Sequence, residues 1–216
     1  MFTTSTARRF IGALPSLLLA AMALVIARWP AMEQSWQFDR TRILAGQWYR
    51  LLLCHVTHFG VSHLVWDVAV LLGLGSAASL VDGKKTWVAI LLSMAAIPIL
   101  ILVGQPSLQT YRGLSGIDCA LFALLAMLLL DQSLRDGRRM AARIVGLGLI
   151  GFIAKTGYEF LTGHTLFVDQ SAGAFVPVPL AHAVGAVCGV IASRLPHGSG
   201  ISLNSNGTAT SCVFSG

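Results

Sequence analysis

Apolar runs long enough to cross a bilayer recur along this chain, and little sequence is left between them. A spanning helix needs about 20 predominantly apolar residues. Runs of that order occupy 10–29, 63–80, 86–103, 113–130, 144–161 and 179–194. Six spans and their connections use up most of the 216 residues. The sequence therefore predicts an all-α polytopic membrane protein: one six-helix bundle over 1–196 and no separate soluble domain. Composition agrees, since 11% of residues are charged against about 25% in soluble domains.

The ends of the chain need separate treatment. Arg8 and Arg9 precede the first run, so a cleaved leader competes with a first helix. The run is long enough to span, and no clear small-x-small cleavage site follows it. An uncleaved helix is the expectation. At the other end, 197–216 is rich in Ser, Gly, Asn and Thr and lacks apolar periodicity. It reads as a disordered polar tail and receives no function. Between the first two spans, 30–46 is polar and reads as a loop. Residues 48–60 are apolar but interrupted by His55, Thr57 and His58, which predicts a surface-lying or re-entrant segment.

The basic residues orient the bundle. Arg8 and Arg9, Lys84 and Lys85, the group Arg135, Arg138, Arg139 and Arg143, and Arg194 all fall on one side of a six-span bundle. The positive-inside rule makes that side cytoplasmic. Both termini then lie in the cytoplasm, and 30–46, 104–112 and 162–178 face outward. Arg40, Arg42 and Arg50 on the outer side run against this bias without reversing it. The net charge of +6 does not gather into a basic stripe with interleaved aromatics, so nucleic acid is not an expected partner. The four cysteines are scattered with no CxxC pair, which points to neither a disulfide framework nor a thiolate metal site.

Polar residues inside spans are costly and are functional candidates by default. They are His63 and Asp67 in the second span, Ser115 and Asp118 in the fourth, Lys155 and Glu159 in the fifth, and His182 in the sixth. Ser115 lies in Gly113-Leu114-Ser115-Gly116, which alone could be a small-residue packing face. His182 lies in Ala181-His182-Ala183-Val184-Gly185, followed by Gly189. Ala181, Gly185 and Gly189 recur at helical spacing and predict a close helix contact with the imidazole in it. A serine hydroxyl needs an adjacent base to become a nucleophile, and His182 is the candidate. His55, His58, His63 and Asp67 would be enough ligands for zinc, but no HExxH is present and two of the histidines lie in the irregular segment. The expectation is no metal and no cofactor.

Taken together, these residues resemble the rhomboid family of intramembrane serine proteases over about 46–194. The matching features are Trp48 and Arg50 leading into the second helix, His63 and Asp67 on it, Gly113-Leu114-Ser115-Gly116 at the fourth, and Ala181-His182-Ala183-Val184-Gly185 on the sixth. The resemblance implies Ser115 as nucleophile, His182 as general base, and His63 with the Ser115 backbone N–H as oxyanion donors. Gly113 would support the turn. Membrane-anchored proteins would be the substrates and the bilayer the setting. No pattern specifies an oligomeric state.

At position 67 the family pattern has asparagine. An ionised aspartate would repel an oxyanion, so Asp67 is either protonated or an orienting group for His63. The Tyr111–Gly116 run, the Lys155, Tyr158 and Glu159 segment and the small size are similar to the rhombosortase branch, which implies substrates with C-terminal Gly-Gly sorting tails. Lys155 and Glu159 are i, i+4, and mutual neutralisation is the expected role. Two rival functions remain: a catalytically inactive rhomboid-like protein that binds membrane clients, and a small transporter, which the lack of an internal repeat disfavours.

Overall fold

The computed structural model describes residues 4–162 and 178–196, and two dipeptides in the tail. Helix α1 (Thr4–Ile26) is followed by the short α2 (Pro30–Trp36), strand β1 (Phe38–Asp39), α3 (Arg40–Leu44) and α4 (Arg50–Leu53). A 3-10 turn, Cys54–Val56, leads to α5 (Val61–Gly104). Strand β2 (Thr110–Tyr111), α6 (Ser115–Arg135), α7 (Arg139–Thr162) and α8 (Pro179–Ser193) complete the bundle.

At 44 residues, a straight α5 would be about 66 Å long, twice the hydrocarbon thickness. It is not straight. Asp82 is extended (φ −154°, ψ 97°) and divides it into two limbs. Its Oδ1 accepts the Lys85 N–H at 3.1 Å, the usual duty of an N-cap aspartate. His55, just before the first limb, reaches the Met94 carbonyl in the second at 3.1 Å. Both ends of α5 therefore sit at one end of the bundle, and the chain folds back at Asp82. The two limbs are the second and third predicted spans, and the turn expected over 82–85 contracts to one non-helical residue. With α1, α6, α7 and α8, the described residues form an all-α membrane bundle of six apolar helical segments. Helices α5, α6 and α7 are long and apolar enough to span, while 11–26 of α1 and α8 are shorter apolar helices.

The polar stretch 30–46 is not a plain loop. It forms α2, β1 and α3, and β1 pairs antiparallel with β2, Phe38 opposite Tyr111. This outer layer explains two of the three arginines that oppose the charge bias, Arg40 and Arg50. Arg40 donates to the carbonyls of Ile101, Leu102, Gln105 and Leu108 at 2.7–3.0 Å, satisfying the open carboxyl end of α5. Arg50 is 1% exposed and donates to Gln34 O, Gln37 O and Gln47 Oε1. At the other end of the bundle Lys85 does the same for α8, with Nζ 2.8 Å from the Ser193 carbonyl.

Several boundaries shift. Helix α6 starts at Ser115, so Gly113 precedes it, and α7 starts at Arg139, ahead of the predicted 144. Of the loop 162–178, residues 163–177 lie outside the described residues, as does the tail apart from Ser202–Leu203 (β3) and Ala209–Thr210 (β4). These two strands pair antiparallel where no regular structure was expected.

Candidate active site

The turn before α6 is held from three sides. The Gly113 N–H donates to the Cys54 carbonyl at 3.2 Å, and the Tyr111 hydroxyl donates to the Gly113 carbonyl at 3.3 Å. The Leu114 N–H donates to Asp67 Oδ2 at 2.8 Å. Gly113 has φ +118°, a conformation glycine adopts at little cost. A Cβ there would also lie 2.8 Å from His63 Cε1 and 2.9 Å from its Nε2. The residue must be glycine for both reasons. Ser115 opens the helix, so its backbone N–H is among the donors left without an intrahelical partner.

Helix α8 brings His182 to this point. Added Cβ atoms at Gly185 and Gly189 would collide with the carbonyl oxygens of Gly116 and Ala120, so α6 and α8 meet backbone against backbone. The predicted small-residue face is thus the contact surface. Across it, His182 Nε2 lies 3.2 Å from Ser115 Oγ. The imidazole is buried. With Nε2 unprotonated, the serine hydroxyl donates to it.

Beside this pair, Asp67 Oδ2 is a focus of contacts. His63 Nε2 lies 3.2 Å away and His58 Nε2 3.3 Å away, in addition to the Leu114 N–H. The His58 and His63 rings meet edge to face with centroids 5.1 Å apart. An oxygen that accepts a backbone N–H and faces two imidazoles has the surroundings of a carboxylate acceptor. His55 and Ser62 do not join His58 and His63 in one group. His55 turns to Met94, and Ser62 is exposed. Of the four residues weighed as metal ligands, His58, His63 and Asp67 meet and His55 stands apart. Asp118 is buried on α6 but is not brought into the Ser115–His182 pair.

Two further groups were undervalued in the sequence. Arg112 closes the outer layer over the site: it donates to Gln37 Oε1 at 2.8 Å and to the His58 carbonyl at 2.9 Å, lies 3.5 Å from Glu33 and stacks over Phe59. Glu159 forms the expected pair with Lys155 at 3.0 Å. The same carboxylate oxygen also lies 3.4 Å from His182 Nδ1. Only the helix-internal half of that arrangement has a sequence signal, the i, i+4 spacing.

A rhomboid-domain family model matches residues 45–198. The chain belongs to the rhomboid family. The match covers α4 to α8, and with them His63, Asp67, Gly113, Ser115, Glu159 and His182. The family is one of intramembrane serine proteases, and the apolar helices make this rhomboid a multi-pass membrane protein. No curated protein matches the chain.

Proposed function

We propose that this protein is an intramembrane serine endopeptidase in which Ser115 is the nucleophile and His182 the general base. The observation that carries the reading is the 3.2 Å approach of His182 Nε2 to Ser115 Oγ, a hydroxyl beside a base in a desolvated setting. Ser115 Oγ attacks the scissile carbonyl, and its proton passes to His182 Nε2. The carbonyl electron pair becomes an oxyanion, held by the Ser115 N–H and by His63. Collapse of the intermediate breaks the C–N bond, and His182 returns the proton to the leaving amine. Water then hydrolyses the acyl-enzyme by the same route. Asp67 is the positioning group: as a carboxylate it anchors the Leu114 N–H and orients His63, and Gly113 lets the turn lie against that imidazole.

The substrate is an extended, locally unwound stretch of a membrane-anchored protein, because helical peptide bonds are shielded. Glycine near the cleavage point assists, since it disfavours helix. The rhombosortase-like features favour exported bacterial proteins with Gly-Gly sorting tails. Basic residues at the end of the bundle away from Ser115 support cytoplasmic termini in an inner membrane, with the site towards the outer face. The outer-side arginines Arg40, Arg50 and Arg112 are engaged in structural bonds, which leaves this bias intact.

Labelling with a fluorophosphonate in detergent tests the assignment. The native chain is expected to label, and Ser115→Ala and His182→Ala are not. Labelling of Ser115→Ala would overturn the nucleophile assignment. A native chain that never labels would favour the inactive, client-binding alternative. Co-expression with a Gly-Gly-tailed exported protein tests the substrate class: a tail of unchanged length counts against it.

A further inference from the structure

We propose that Glu159 is a positioning residue for His182, so that the Ser–His pair works as a Ser115–His182–Glu159 relay built from α6, α8 and α7. The inference rests on the proposed roles of Ser115 and His182 and extends them.

Three observations carry it. First, the two ring nitrogens of His182 face opposite partners. Nε2 faces Ser115 Oγ, and Nδ1 lies 3.4 Å from Glu159 Oε2. Nδ1 is buried and makes no hydrogen bond within the described residues. At 3.4 Å the carboxylate is at ion-pair range, a distance that closes when the imidazole becomes charged in the reaction.

Second, Glu159 is buried where its helix otherwise is not. Ala142 and Glu159 are the buried residues of α7, while its neighbours Tyr158, Phe160 and Leu161 are 44–86% exposed. Glu159 itself is 1% exposed.

Third, the pair with Lys155 does not account for the inward direction of the carboxylate. Ionisable side chains within a span face the bundle interior and pair there. Burying a carboxylate needs a partner inside, and the inward partner is His182. Lys155, with its side chain 26% exposed, holds the same oxygen from the outer side and fixes the carboxylate in place.

The function follows from the chemistry of a carboxylate beside an imidazole. It selects the tautomer with the proton on Nδ1, which leaves the Nε2 lone pair facing Ser115. It then stabilises the imidazolium that forms when Nε2 takes the serine proton, without itself taking up that proton. Glu159 does not touch the substrate.

The test uses the full-length protein in detergent and reads the fluorophosphonate labelling of Ser115 as a maximal rate and a half-saturating probe concentration. Glu159→Gln is expected to lower the maximal rate about 100-fold and leave the half-saturating concentration unchanged. Glu159→Asp is expected to recover at least about a tenth of the native rate, because it restores the charge. A Glu159→Gln rate within about threefold of native would overturn the proposal. If Glu159→Gln lowers thermal stability by stranding Lys155, the Lys155→Met/Glu159→Gln double variant removes both charges. A double variant that is as stable as the native chain and still slow supports the relay. One that is stable and labels at the native rate reduces Glu159 to a partner of Lys155 and sinks the idea. Failure in these arms with Ser115→Ala unlabelled removes only the relay. Labelling that persists in Ser115→Ala removes the underlying assignment and the relay with it.

Discussion

The Asp67 carboxylate accepts the backbone N–H of Leu114, the residue before Ser115, at 2.8 Å. It thereby ties the first limb of α5 to the turn that presents the serine. An asparagine side chain in its place keeps a carbonyl oxygen for that N–H and gains an amide donor. Asp67→Asn is therefore expected to fold and to keep its labelling rate within about tenfold of native. Asp67→Leu strands a buried N–H, at about 1–3 kcal/mol, and leaves His58 and His63 without their shared acceptor. Its labelling rate is expected to fall about 100-fold, the scale of losing an oxyanion donor. Native-rate labelling of Asp67→Leu would show that the carboxylate has no part in shaping the site.

Gly113→Ala places a Cβ against the His63 ring in a backbone conformation unsuited to alanine. The expected result is a folded bundle with labelling reduced at least about tenfold, because His63 must move out of position and a single oxyanion donor is worth about 100-fold or more. Circular dichroism checks the fold and probe labelling checks the site. An unchanged rate would mean that His63 tolerates displacement.

Gly185→Ala sets a methyl group against the Gly116 carbonyl. Overpacking costs about 1–3 kcal/mol or more, and backbone has little room to yield. The melting temperature is expected to drop. The labelling rate should fall as well, since separating α6 from α8 separates Ser115 from His182. A variant with native melting and native labelling would be inconsistent with the backbone contact described above.

Lys85→Met offers the contrast. Lys85 caps α8 at the end of the bundle away from Ser115, so its loss leaves the Ser193 carbonyl without its donor, at about 1–3 kcal/mol. Thermal stability is expected to fall while the labelling rate at low temperature stays native. Loss of labelling in a folded Lys85→Met protein would show that the far end of α8 helps to set the position of His182.

The spans were legible because each apolar run ends in a charged or glycine-rich turn. Asp82 marked the break in α5, though its capping role shortened the turn to one residue. Residues 30–46 were not legible. Helices of five and seven residues and two-residue strands are too short for periodicity, and their stability comes from Arg40 and Arg50 bonding to distant carbonyls. Ser115 and His182 could be paired from the small residues around them. The second contact of Glu159 could not be read, because its obvious sequence neighbour Lys155 already accounts for its charge, and His182 lies on another helix beyond the 163–177 segment. The orientation of His55 towards Met94, away from His58 and His63, likewise depends on how the two limbs of α5 fold back together.

The contact of Gly185 and Gly189 with the Gly116 and Ala120 carbonyls acts as a gauge block. The gap between Ser115 and His182 is set by peptide groups in contact, not by side chains that can change rotamer. Lipid-facing positions on α8 such as Val187, Val190 and Ile191 are therefore free to drift in sequence, or to adapt to membranes of different thickness, without altering that gap. Helix α7, which buries little, lacks such a stop, and changes in bilayer or detergent should register there first.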